Sequence, residues 1–441
     1  MASTIVIDKE KNQSHKLLSG WIGLGFILFI HTMMILPALF FLNQDVWIAE
    51  AWDSNKGHIP AINYFIANPT HLFSYPSIIS TFPGYHLFLA LIASLFGMES
   101  VNGATWLIRI INIAFAYGLV IMVWQIVWRL KQDVQLAFAL LLPLALSYYV
   151  LASSIWINTD DVAAFFYVTL IFIFMFNQSS LMAAFMAFFM VICRQIYFPV
   201  VGAFWPPALW PKFNKTYARL ALAVSLLTSL TILIYLWRWQ GLTPGRTQTI
   251  NKFIGINLSG LLHAFTLTGL WSIPYLFIFC ADRLSYKKYF YFLIFTAIGL
   301  ALLLWGITPS NFDYDEGRGG SIVWYLANLT PSYEHHSFFV LLFSAVGMFV
   351  VLNMIMRSIA MRYYPIETIM LLAYFLSCST QIFSFQRYVE IPILITFAVF
   401  GARIKNYRRL NLLGPIALAI IFVVLASIHM WLKVHGGTIA Y

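Results

Sequence analysis

The stretch FFLNQDVWIAEAWDSN, at 40–55, gathers Asp45, Glu50 and Asp53 in a chain of 441 residues with only 16 acidic side chains. They follow directly on the first long apolar run. A carboxylate there can take the proton of an attacking hydroxyl as a general base, or simply cap or solvate a helix end. On a short helix over 45–54, Asp45, Ala49, Trp52 and Asp53 share one face, so Asp45 and Asp53 look into the same cavity. A second acidic point is Asp160-Asp161, a like-charge pair whose repulsion calls for a compensating cation or arginine. Asp160 either orients a substrate or caps a helix beginning at Val162. Arg194 and Arg387 fall at outer ends of apolar runs. An arginine's planar fork can hold two phosphate oxygens, and ionic contacts strengthen beside a low-dielectric wall. The plainer readings are snorkelling to headgroups or pairing with a carboxylate, with Glu390 the natural partner of Arg387.

The remaining reactive residue types carry less. Cys193, Cys280 and Cys378 are scattered without metal spacing and read as small core residues. His58, His71 and His86 in the first loop, with His335 and His336 later, read as neutral polar groups rather than a metal site, and no metal is expected. His263, inside an apolar run, is expected to hydrogen-bond another helix or line a cavity. Trp47, Trp52, Tyr64, Tyr75 and Tyr85 offer sugar-stacking rings or an interfacial belt.

Hydrophobic residues make up 61% of the chain, charged residues 10%, and mean hydropathy is +0.81. An average soluble domain is about 25% charged, so the expected class is an all-α polytopic membrane protein, one integral membrane domain over 1–441. Crossing about 30 Å of hydrocarbon takes about 20 helical residues, and runs of that kind recur throughout. They predict about thirteen spans, near 17–42, 104–128, 135–153, 162–177, 180–194, 196–211, 217–237, 259–280, 289–307, 337–356, 366–381, 389–404 and 411–432. The segment 83–97, PGYHLFLALIASLFG, is too short to cross and is expected to lie in the outer interface.

Basic clusters between the runs orient the helices by the positive-inside rule. Arg129, Lys131, Arg357, Arg403, Lys405, Arg408 and Arg409 fall on the cytoplasmic side, while Asp45, Asp53, Asp160 and Glu390 fall outside. The net charge of +10 is thus spent on topology and anionic lipid, and nucleic acid is excluded as a partner. The long connections are external: a first loop at 43–103, carrying short interfacial helices, and a second at 308–336, expected to act as a mobile lid. Chemistry belongs on that face.

The order of motifs resembles the GT-C superfamily of membrane glycosyltransferases. Asp45 follows the first span; Thr81, Pro83 and Gly84 stand in an aromatic loop; Leu95-Phe96-Gly97 ends an amphipathic stretch; and a span opens near Arg109-Ile110. INTDDVAAFFYVTLIFIFMFN at 157–177, ICRQIYFP at 192–199 and FQRYVEIP at 385–392 resemble the dolichyl-phosphate-glucose α-1,2-glucosyltransferase family. Val46, Asn158 and Phe385 depart from that family's pattern, so the resemblance implies the donor class and not the sugar.

The resemblance implies a GT-C-like fold and transfer of a sugar from a polyprenyl-phosphate donor to an extracytoplasmic glycan or lipid-linked acceptor. Asp45 would be the base of an inverting displacement, with Asp53, Asp160, Arg194, Arg387 and Tyr388 binding substrate. No cofactor is expected, since the lipid-linked sugar is itself a co-substrate. A prokaryotic cell membrane is the favoured location and the endoplasmic reticulum membrane the alternative. The rival functions are a transporter or flippase of lipid-linked saccharide, a polysaccharide polymerase or ligase, and a non-catalytic scaffold. A transporter would want ionisable groups near the midplane and interrupted helices.

Overall fold

The computed structural model describes residues 2–40, 53–73, 81–209, 215–241, 257–279, 287–313, 318, 320–379 and 386–434. It is an all-α polytopic bundle. α1 (Ala2–Phe40) is followed by a π-helical turn (Asp53–His58), α2 (Ile59–Ala67), α3 (Gly84–Leu95) and α4 (Thr105–Lys131). Next come α5 (Val134–Leu146), α6 (Tyr148–Ile155), α7 (Asp160–Phe172), α8 (Ser180–Cys193), α9 (Trp205–Leu209) and α10 (Lys215–Trp239). The second half holds α11 (Leu258–Ser272), α12 (Leu276–Phe279), α13 (Lys287–Ile307), α14 (Ile322–Asn328), α15 (Phe338–Ala360), α16 (Ile366–Cys378), α17 (Gln386–Arg403) and α18 (Leu413–Val434).

Among the described residues, 8 helices are long and apolar enough to cross a membrane, or 9 with α5 and α6 taken as one span bent by 58°. The chain is a multi-pass membrane protein. Four of the expected spans have a different form. Ser180–Cys193 and Ile366–Cys378 are apolar but short, 14 and 13 residues, which at 1.5 Å per residue is about 20 Å. α17 carries Arg387, Glu390 and Arg403 and is buried on nearly every side, so protein rather than lipid surrounds it. The run expected over 196–211 is a 3-10 segment, Gln195–Phe204, followed by the single turn of α9. Pro199, Pro206 and Pro207 remove the amide donors that an α-helix would need there.

Local chemistry sets several helix ends. Asp133 caps α5 by accepting from the Leu136 amide, Ser179 caps α8, Asn257 caps α11 and Ser321 caps α14. α4, α15 and α17 end in basic residues, Arg129 and Lys131, Arg357, and Arg403. These charges favour the carbonyl end of each helix dipole and mark one end of the bundle. A cleft of about 590 Å3 opens at this basic end, lined in part by Lys131, Asp133, Tyr407 and Arg409; among the described residues, none of the predicted site residues lines it.

One continuous apolar core runs through the bundle, filled by large side chains such as Trp124, Tyr167, Tyr275 and Phe397. α11 and α15 touch backbone to backbone: a Cβ on Gly269 would stand 1.9 Å from the Phe343 carbonyl oxygen, and one on Gly347 would stand 1.9 Å from that of Phe265. Only glycine permits such an approach.

α3, the segment expected in the outer interface, has one buried and one exposed face. It buries Tyr85, His86, Leu89, Ala90 and Ala93 while exposing Phe88, Leu91 and Leu95. The second loop, expected as a mobile lid, holds built structure in its described part. α14 buries Val323, Trp324 and Ala327, and a two-residue hairpin pairs Ser332–Tyr333 with His336–Ser337. Trp324 stacks on His263 at 5.3 Å, which anchors the loop to α11.

Candidate functional site

Three helix ends meet opposite the basic end of the bundle. α7 begins there, α8 finishes there, and α17 begins there. Asp160 is the first residue of α7, with Thr159 at the cap position. The helix therefore starts two residues earlier than Val162, and the Asp160 carboxylate does not cap it. It forms an ion pair with Arg194 instead, and both side chains are nearly buried. Arg194 follows the last residue of α8 in extended conformation, and its Nη1 also donates to Thr159 Oγ1 at 3.3 Å.

The Arg194 guanidinium lies 4.4 Å from the centroid of the Tyr388 ring. Arg387 stands 5.2 Å from the same ring, and its Nη2 donates to Tyr388 Oη at 3.4 Å. One aromatic ring thus serves two guanidinium groups, each attracted by the ring's quadrupole. Four sequence-predicted residues, Asp160, Arg194, Arg387 and Tyr388, come together. Asp45 lies outside the described residues, as does the proposed helical face over 45–52. Asp53 opens the π-helical turn.

The motif segments of the first half are tied to this cluster. The Phe82 amide donates to Gln195 Oε1 at 3.0 Å, joining STFPG to CRQ. Gly84 lets α3 lie against α8, since a Cβ there would stand 2.8 Å from the Ile192 carbonyl oxygen. Tyr85 is fully buried and donates to Asn112 at 2.6 Å, while Asn112 donates to the Trp156 carbonyl at 2.7 Å. Tyr85 is a structural pin and not a sugar platform. Arg109 stands 5.9 Å from the Trp156 ring, a packing role at the same end.

His58 and His86 form a pair that spacing alone does not reveal. His58 Nδ1 and His86 Nε2 are 2.9 Å apart, and both residues are buried. Burial holds His58 well below an ordinary imidazole, and the charges of His86, Arg387 and Arg194 add to the effect. Burial lowers His86 to about 3.

A second polar network lies deeper. Glu390 is not the partner of Arg387. Its carboxylate accepts from Ser147 Oγ at 2.5 Å, from Gln386 Nε2 at 2.5 Å and from Trp271 Nε1 at 3.2 Å. Gln386 Oε1 in turn accepts from the Ile322 amide at 3.0 Å, and Ser321 Oγ is 2.7 Å from His263 Nε2. His263 thus hydrogen-bonds the second loop, as its place inside an apolar run suggested. Ser147 stands at the break between α5 and α6. Three donors on one carboxylate satisfy a charge that burial would otherwise make costly.

Among the described residues, no three His, Cys, Asp or Glu side chains converge as a metal site would need. No family model matches the chain, and no curated protein or solved structure matches it either.

Proposed function

We propose that the protein is a GT-C-like glycosyltransferase that moves a sugar from a polyprenyl-phosphate donor to an extracytoplasmic acceptor. The observation that carries this reading is the pair of guanidiniums, Arg194 and Arg387, both against the Tyr388 ring. Two guanidiniums at an interfacial end of the bundle suit a leaving phosphate, because each can donate in bidentate fashion and keeps its charge. The lipid tail would remain in the bilayer while the sugar lies on the extracytoplasmic side of the arginines. Asp45 takes the proton of the acceptor hydroxyl, and Asp53 and Asp160 contact the sugar or acceptor. The four segments that differ from long spans would complete a GT-C-like arrangement of about thirteen crossings. The membrane is a prokaryotic cell membrane, and the reaction needs no cofactor besides the lipid-linked sugar.

Retention of a radiolabelled polyprenyl-phosphate sugar by the purified protein tests the phosphate contacts. Arg387→Gln should lose retention about tenfold or more, the worth of one charge-assisted hydrogen bond. Equal retention by Arg387→Gln and wild type would remove Arg387 from the donor site.

A second reading is a flippase for lipid-linked saccharide, which Glu390 favours. Its buried carboxylate is bonded to Ser147 at the 58° break between α5 and α6, an ionisable group beside an interrupted helix. Movement of a fluorescent lipid-linked sugar across liposomes, with no transfer to any acceptor, would support that reading.

A further inference from the structure

We propose that the cleft at the basic end of the bundle binds the headgroup of one anionic glycerophospholipid, with Lys131 and Arg409 meeting its phosphate. The cleft lies at the other end of the bundle from Arg194 and Arg387, and the inference does not depend on sugar transfer.

The walls of the cleft, about 590 Å3 in volume, come from the ends of four apolar helices. Ser19 stands at the start of the apolar stretch Leu18–Pro37 of α1, Lys131 is the last residue of α4, Val134 is the first of α5, and Arg409 opens the apolar stretch Arg409–Ile428 that runs into α18. A cleft built from span ends lies in the plane where hydrocarbon gives way to headgroups. Its walls are held in place. α1 packs closely on α4, since a Cβ on Gly20 would stand 2.7 Å from the Trp128 ring and one on Gly23 would stand 2.8 Å from that of Trp124. The Tyr407 hydroxyl donates to Asp133 Oδ2, which ties the connection before α18 to the turn between α4 and α5.

Charge selects a phosphate. Among the described residues that line the cleft, Lys131 and Arg409 are positive and Asp133 is the acidic one. Asp133 Oδ1 accepts from the Leu136 amide at 3.1 Å and Oδ2 from the Tyr407 hydroxyl, so donors already engage both of its oxygens. Two neighbouring arginines are turned to other partners: Arg129 lies 4.7 Å from the centroid of the Phe172 ring, and Arg403 pairs with Glu367 at 3.0 Å. Two cations against one carboxylate leave an excess of positive charge, which a phosphodiester's single negative charge matches. The surroundings select a lipid over a soluble phosphate. Leu18, Trp21 and Ile22 stand around Ser19 on α1, Leu410 and Leu413 follow Arg409, and all five are exposed. Apolar side chains open beside a basic cleft suit acyl chains, and an indole such as Trp21 is favoured at the headgroup level. Basic pockets between helices at a membrane face take anionic headgroups in this way.

Native mass spectrometry of the intact protein, released from neutral detergent with an equimolar mixture of phosphatidylglycerol and phosphatidylcholine of the same chains, reads the lipid retained. Wild type should hold one phosphatidylglycerol, favoured at least about tenfold over phosphatidylcholine. Arg409→Gln and Lys131→Gln should each lose most of that preference. Arg408→Gln removes the same charge from the adjacent residue, which is outside the lining, and should keep it. Arg409 is exposed, so its substitution leaves the core intact. Equal retention of the two lipids by wild type would overturn the inference without need of any variant. Equal loss in Arg408→Gln and Arg409→Gln would also overturn it, because a diffuse basic surface would then account for the preference. Glycerophosphoglycerol, the same headgroup without acyl chains, separates lipid from soluble phosphate. Phosphatidylglycerol that stays bound in an equal concentration of it supports the lipid, and displacement would overturn the assignment.

Discussion

The guanidinium of Arg194 lies 4.4 Å from the ring centroid of Tyr388, although 194 residues of sequence separate them from different helix ends. That contact joins the end of α8 to the start of α17. Because Arg194 also pairs with Asp160 on α7, one arginine holds three helix ends in register. The same arginine is thus both a structural clamp and a candidate ligand for an anion.

Removing that clamp leaves a buried carboxylate alone. Arg194→Ala should destabilise the protein by about 3–5 kcal/mol, since an uncompensated buried charge is costlier than the pair was worth. Asp160→Asn in the same chain should restore part of the loss. Denaturant unfolding in detergent checks this, and fully additive losses would contradict the coupling.

Tyr388 acts through its ring more than its hydroxyl. Tyr388→Phe keeps both cation–π contacts, so phosphodiester affinity should stay within about threefold, whereas Tyr388→Leu should lose stability by about 1–2 kcal/mol. Thermal unfolding and binding isotherms of the two variants separate ring from hydroxyl. Equal loss in both would assign the effect to the hydroxyl.

Glu390 organises three donors. Glu390→Leu leaves Ser147, Gln386 and Trp271 without their shared acceptor and should cost about 3 kcal/mol or more, at about 1–3 for each stranded group. Glu390→Gln, which keeps an acceptor oxygen, should cost less. A chemical-denaturation series on the two variants gives the comparison, and a leucine variant as stable as wild type would contradict the network.

The protein should lose stability below about pH 6.5. His58 and His86 are both held below the usual imidazole value of 6.5, so above it the folded and unfolded chains bind the same protons at these sites. As pH falls through 6.5 the unfolded chain gains protons that the folded chain refuses, and stability drops by up to about 1.4 kcal/mol per pH unit for each histidine. Unfolding curves from pH 7.5 to 5 on wild type and His58→Gln measure it. A slope identical in the two proteins would contradict the assignment to His58.

Gly269 tests the close helix pair. Gly269→Ala places a methyl group against the Phe343 carbonyl, so α11 and α15 must separate or the chain must misfold. A lowered melting temperature is the expected outcome, and a variant that melts with wild type would contradict the backbone contact.

Much of the site was legible because charge is scarce in this chain. Asp160, Arg194 and Arg387 stood out against long apolar runs, and the structure brings them together with Tyr388. The partner of Glu390 was not legible. Arg387 lies three residues before it, but Gln386, one full turn before, takes the carboxylate, and Ser147 and Trp271 arrive from distant helices. The His58–His86 pair is equally silent in sequence, because 28 residues and an intervening helix separate the two rings. Hydropathy identified the polytopic class and most long helices. It did not register that α8 and α16, at 14 and 13 residues, are shorter than the helices long enough to span, nor that three prolines turn 196–211 away from an α-helix. α17 shows the converse: apolar enough to read as a span, it carries three charges that neighbouring helices shield.

Sugar transfer by the purified protein is the most direct test, with a panel of radiolabelled polyprenyl-phosphate sugars, a membrane lipid extract as acceptor source, and Asp45→Asn beside wild type. The proposed function predicts transfer by wild type from at least one donor, reduced at least about a hundredfold in Asp45→Asn while donor is still retained, as loss of a general base requires. Full transfer by Asp45→Asn would contradict the assigned base, and no transfer from any donor by a wild-type protein that retains them would contradict the transferase itself.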